Sequence, residues 1–211
     1  MRFNISYTTG LGKVTAYSYL LEEDEGTVNA LDTYGVRFAG ATDIDEELKA
    51  LYTLEYAYQE KEEASGNTLE TAYMLIEGGV AVSGITAKLG YEVLGSDEGN
   101  VGFATPLATG HKFNGWADQF LGTPKEGLTD LYVSFSGKLA GGKWAVAYHE
   151  FNADEASATV DDLGSELDLS YSKGFGKNYS AGVKYAAYSA GDVAANKVDT
   201  DKIWLWLGAK F

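Results

Sequence analysis

The chain has no cysteine and only two prolines among its 211 residues. Without cysteine there is neither a disulfide framework nor a zinc–thiolate site. So few prolines suit a backbone whose N–H groups nearly all donate into a ladder, because proline has none to give. Positive charge is scarce as well: 16 Lys and Arg stand against 31 Asp and Glu, for a net charge of −15. A nucleic-acid partner needs a basic footprint, so that class is set aside. Long apolar runs are missing too. Hydrophobic residues make up 45% of the chain, yet nowhere do they form the run of about 18 that a spanning helix needs.

What the chain has in quantity is glycine (26), tyrosine (15), phenylalanine (9) and tryptophan (4), spread through segments that alternate apolar and polar. Period-2 alternation predicts eleven strands, at 2–8, 13–22, 31–40, 48–60, 69–78, 82–94, 128–138, 142–151, 165–174, 178–189 and 200–211. In one of them Ile85, Ala87, Leu89, Tyr91 and Val93 oppose Thr86, Lys88, Gly90 and Glu92. In another, Leu167, Leu169 and Tyr171 oppose Glu166, Asp168, Ser170 and Ser172. The only competing helical stretch is short, around Asn114–Leu121. Such alternation gives every strand one wet and one apolar face, which fits an antiparallel transmembrane β-barrel or a soluble β-sandwich acting as a binding or adhesion module.

Connection lengths favour the barrel. Gly10-Leu11-Gly12, Ala140-Gly141-Gly142 and Gly174–Asn178 are tight and glycine-rich. Between them fall the longer segments Glu22–Ala30, Gly95–Gly127, Asn152–Gly164 and Ala190–Thr200. Short turns at one rim and long loops at the other are the habit of outer-membrane barrels. Gly40–Glu47 is long for a short-rim turn on this reading. Tyrosine and tryptophan gather at membrane–water interfaces, and Tyr52, Tyr56, Tyr58, Tyr171, Tyr185 and Trp144 are expected on the lipid side. The final alternation runs through Leu207 and Ala209 to a terminal Phe211, a pattern like the signal read by the barrel-assembly machinery. The acidic runs Glu22-Glu23-Asp24-Glu25 and Glu60-Lys61-Glu62-Glu63 are expected at solvated loop tips, with bridging to lipopolysaccharide by divalent cations as the lesser alternative.

Met1-Arg2-Phe3-Asn4-Ile5-Ser6-Tyr7 alternates from the start and has no secretory-signal pattern. Bacterial single-chain barrels have even strand numbers, and eleven is odd. Both facts are expected of a single domain over 1–211 that lacks its N-terminal strands.

Several stretches resemble one family specifically. They are Tyr91-Glu92-Val93-Leu94-Gly95-Ser96-Asp97, the loop from Phe103 to Asp118 with its Gly110-His111-Lys112-Phe113-Asn114-Gly115-Trp116 core, Gly127–Val133 and Lys143–His149. Asp32–Arg37 and Leu51–Ala57 fit as well. Together they look like the C-terminal half of the alginate-export family of outer-membrane porins. The resemblance implies a monomeric barrel of roughly 16–18 strands in a Gram-negative outer membrane, passing a small hydrophilic solute through a lumen narrowed by loops. It implies neither an enzyme nor a cofactor.

The expected lumen side chains are Arg37, Glu55, Lys88, Glu92, Asp130, Glu166, Asp168 and Lys184. Their mixed, slightly acidic character does not suit a polyuronate, because like charges in a pore repel the solute. Cross-strand ion pairing within the wall is the alternative role for them. The 95–127 segment is too long for a plain connector and carries Phe103, His111, Phe113, Trp116 and Phe120. It is expected to fold inward or across the mouth as a constriction, against the alternative of an outward cap. No metal site is expected, since His149 and Glu150 point to opposite faces of a strand. No catalytic residues are expected either, because no nucleophile elbow precedes a helix.

Overall fold

The computed structural model describes residues 1–22, 30–63 and 65–211. The acidic run at 23–25 and most of the loop that contains it lie outside the described residues. Thirteen strands form: β1 (Arg2–Thr9), β2 (Gly12–Glu22), β3 (Ala30–Asp43), β4 (Leu48–Glu62), β5 (Thr68–Val82), β6 (Ile85–Leu94), the short β7 (Ser96–Asp97) and β8 (Val101–Gly102), β9 (Leu128–Leu139), β10 (Gly142–Asn152), β11 (Asp162–Phe175), β12 (Tyr179–Ser189) and β13 (Thr200–Ala209). β7 and β8 pair only with each other. The other eleven make one sheet in chain order, each antiparallel to the next. Most of the eleven reach the length of about 9–11 residues that crosses a bilayer at a tilt.

The turns explain where the strand ends differ from the sequence reading. Ser83 (φ 49°) and Gly84 (φ 79°) are both left-handed, the two-residue hairpin geometry that matches strand twist. The β5–β6 turn therefore sits there, and the strand expected to end at Gly78 runs on through Gly79 to Val82. Ala140 (φ 50°) and Gly141 (φ 79°) repeat the geometry between β9 and β10. The stretch that seemed long for a turn shortens, because β3 runs on to Asp43 and pairs with Lys49. Asp45 Oδ1 then accepts from the N–H groups of Glu47 and Leu48, each at 2.8 Å. No helix forms over Asn114–Leu121. Asn114, Gly115 and Asp118 have positive φ, and the one helical turn nearby is a 3-10 turn at Gly110–Lys112.

One face of the sheet is apolar and uncovered. Leu89, Leu169, Val183 and Leu205 are 59, 37, 38 and 79% exposed, and among the described residues no second sheet of comparable size stands against them. A sandwich core would have buried them. Along this face Tyr34 lies opposite Tyr58, and Trp144 opposite Tyr171. The first pair is near the long-loop rim and the second near the short-turn rim, with Leu54, Val36, Leu169 and Val146 between. Tyr52, Tyr56 and Tyr185 share the face. Aromatic belts flanking an aliphatic band are the pattern of a transmembrane barrel wall.

The opposite face is concave. Tyr17 on β2 and Trp204 on β13 both pack against one buried cluster that includes Ala57, Leu94, Phe103, Phe120, Phe151 and Tyr188. On a flat sheet those two strands would lie about 40 Å apart at roughly 4.8 Å per strand, so the sheet must roll around the cluster. The roll is incomplete: among the described residues nothing pairs with the free edges of β1 and β13. The fold is an all-β, antiparallel segment of a transmembrane β-barrel.

Candidate functional site: the concave face and its loop

Every charged residue expected in the lumen lies on the concave face, and each has a partner on a neighbouring strand or on the loop. Arg37 pairs with Glu55 directly across β3 and β4, and Tyr17 donates its hydroxyl to the same carboxylate at 2.7 Å. Gly35 makes that reach available, because the Tyr17 ring lies where a Cβ on residue 35 would stand, 2.2 Å away. Gly90 does the same for Tyr132, whose hydroxyl donates to Glu77 at 2.7 Å. Lys88 closes that group with an ion pair to Glu77 of 2.9 Å. Further round, Tyr73 donates to Glu92 at 2.5 Å, and Asn114 of the loop bridges Glu92 (2.9 Å) and Asp130 (3.3 Å). His149 Nδ1 is 2.9 Å from both oxygens of Asp130.

The 95–127 loop lies on this concave side. At one end Gln59 of β4 clasps it twice, donating to the carbonyl of Ala104 at 2.9 Å and accepting from its N–H at 2.7 Å. In the middle, the Trp116 N–H donates to Asp168 at 3.1 Å and the Ala117 N–H to Glu166 at 2.6 Å. The left-handed Asn114 and Gly115 aim these consecutive donors at the wall, as a backbone nest does for an anion. Gly115 has φ 83°, and a Cβ on it would stand 2.4 Å from Glu166 Oε2. At the far end Lys202 of β13 pairs with Asp118 at 2.9 Å, and His111 Nδ1 is 2.5 Å from the same carboxyl. Lys184 lies 4.4 Å from the centre of the Trp116 ring and 3.1 Å from His111 Nε2. Burial alone would raise the Asp118 pKa, but hydrogen bonds from Lys202 and His111 outweigh it and hold the group below its ordinary value.

This coverage splits the expected lumen residues. Asp130, Glu166 and Asp168 face inward yet are only 1, 1 and 0% exposed, so in this conformation they hold the loop and do not border open space. Arg37 and Glu55 instead border a cavity of 470 Å³ between the β1–β6 wall and the loop. Among the loop aromatics, Phe103 and Phe120 are buried and Phe113 is about half exposed. Phe120 packs on Phe151 with ring centres 4.6 Å apart. Leu207 and Phe211 point away from the sheet into the open, and Ala209 pairs with Tyr179. Sequence reasoning missed Glu77, Tyr17, Tyr73, Tyr132 and Gln59. Their inward phase was legible in the alternation, but their polar partners were not. Among the described residues no group of three or more His, Asp or Glu is placed to hold a metal ion.

No protein-family model and no curated protein matches the chain. Solved structures do. The chain is similar to the outer-membrane protein OprD of Pseudomonas aeruginosa, with a TM-score of 0.72 and 13% identity, over 99% of this chain and 58% of that one. It is similar to OccAB4 of Acinetobacter baumannii, with a TM-score of 0.70 and 14% identity, over 99% and 52%. It is also similar to OccK9 (OpdG) of Pseudomonas aeruginosa, with a TM-score of 0.68 and 14% identity, over 98% and 54%. At such identities the likeness establishes the fold. The chain spans a little over half the length of each.

Proposed function

We propose that this chain is part of the wall of an outer-membrane channel in a Gram-negative envelope, and that its 95–127 loop narrows the passage for a small hydrophilic solute. The observation that carries the reading is the pairing of an uncovered apolar face with a concave polar face on which a long loop is fixed. The reading assigns no chemistry to the chain beyond passage. In it, lipid and lipopolysaccharide meet the outward face, the assembly machinery reads the terminal Leu207, Ala209 and Phe211, and the channel works as a monomer.

Strand parity supports a larger barrel. β1 and β13 both run from the long-loop rim to the short-turn rim, so antiparallel closure takes an odd number of further strands. Five or seven would give the roughly 16–18 of the channel-forming class. The resemblance of the loop and its flanks to the alginate-export porins belongs to this proposal, and alginate itself does not, given the paired and slightly acidic wall.

Expressed with the strands that complete its barrel, the protein should give discrete conductance steps in planar bilayers. Deleting 105–121 should enlarge those steps severalfold. An intact barrel that does not conduct would overturn the channel. Unchanged steps after the deletion would overturn the constriction.

A further inference from the structure

The cavity beside Arg37 has a composition that discriminates among hydrophilic solutes. Its wall carries Tyr17 and Tyr19, with ring centres 5.3 Å apart, and Phe113 and Leu107 of the loop help to close it from the other side. At 470 Å³ it falls within the roughly 300–1,000 Å³ of small-molecule sites, which combine apolar walls with a few placed polar groups. Here those groups are Arg37, Glu55, Glu92 and Asn114.

The charges are already spoken for. Both oxygens of Glu55 accept, one from Tyr17 and one from Arg37. Both oxygens of Glu92 accept as well, from Tyr73 and Asn114. A cation entering the cavity would compete with those donors for the carboxylate oxygens. An anion would meet two fixed carboxylates against one guanidinium, and like charge in a pore wall repels. A neutral solute bears neither cost. Among the described residues the Arg37 fork commits one N–H nitrogen, Nη1, to Glu55, and its side chain is 42% exposed. Arginine carries five N–H groups in a rigid fork, so donors remain for the oxygens of a solute. The tyrosine rings offer flat faces beside them, each an apolar body with a polar tip.

We infer that this cavity is a binding step for a neutral, ring-shaped polyhydroxylated solute, a pyranose sugar in chemical class, with Arg37 donating to its hydroxyl oxygens and Tyr19 stacking on its apolar face. The inference rests on the channel reading, and the experiment separates the two.

The completed barrel is placed in a planar bilayer in potassium chloride, and maltose, sorbitol, gluconate and lysine are added in turn as probes. Maltose should interrupt the current. Sorbitol has the hydroxyls without a ring, and it should interrupt several-fold less, as should the two charged probes. Tyr19→Ala and Arg37→Gln should each weaken the maltose effect about fivefold, as expected for losing one net contact. Tyr19→Phe keeps the ring and should retain the effect, which guards against a variant that merely misfolds. Conductance with equal responses to all four probes, or a maltose effect indifferent to both substitutions, would overturn the inference and leave the channel standing. Absence of any conductance would overturn both.

Discussion

Glu55 and Glu166 hold equivalent places in the alternation, each on the concave face with apolar neighbours pointing the other way, yet they do different work. Glu55 takes an ion pair and a tyrosine hydroxyl at the edge of an open cavity. Glu166 is sealed beneath the loop and accepts a backbone N–H at 2.6 Å. The difference lies in what covers the wall. Over β9–β12 the loop replaces water, and the carboxylates there have become its anchors. Over β2–β4 part of the wall borders a cavity, and there Arg37 and Glu55 neutralise one another.

The contrast can be broken most severely at the closest contact. Gly115→Ala forces an L side chain into a left-handed backbone against the buried Glu166 carboxylate. It should cost about 3 kcal/mol from the strained φ and the overlap together, read as a lower urea midpoint for loss of the folded, heat-modifiable form. Asp130→Ala comes next. It leaves the buried His149 and the loop's Asn114 short of an acceptor and should cost about 2 kcal/mol. The matching change on the accessible side, Arg37→Gln, breaks a part-exposed pair and should cost no more than about 1 kcal/mol. If Arg37→Gln proved as damaging as Asp130→Ala, the two sides of the wall would not differ as described.

The smallest effect is one of pH. Asp118 titrates below its ordinary value in the folded chain, so its link to Lys202 stabilises the loop above the unfolded value and is lost as pH falls through the folded one. Trp116 fluorescence should therefore hold steady from pH 7 to 5 and change only below about pH 4. Asp118→Asn should remove that last change. A transition near neutral pH that survives Asp118→Asn would contradict this account of the anchor.

Much of the architecture was written in the alternation. The phase of Leu89 against Lys88, or of Leu169 against Asp168, sets which side chains share a face, because a strand has no other period to offer. Strand ends were less legible: the strand expected to end at Gly78 runs on to Val82, because the actual turn depends on two left-handed residues at Ser83-Gly84. The division of the wall was not legible at all. Asp168 and Glu55 read alike in sequence, and only the path of a loop some fifty residues before Asp168 decides that one is sealed and the other borders a cavity. The clasp of Gln59 on Ala104 is equally silent, since one glutamine among polar strand residues carries no spacing signal.

Because the chain has no cysteine of its own, single cysteines placed at Leu89, Leu169, Val183 and Leu205, and in turn at Lys88 and Lys184, test the orientation of the wall most directly. Carrying a fluorescent label in vesicles with brominated acyl chains, the first four should be strongly quenched by the lipid. The other two should be spared. Quenching that ran the other way, or outward positions that a charged aqueous quencher reached more readily than lipid did, would contradict a wall with hydrocarbon on one side and a polar interior on the other.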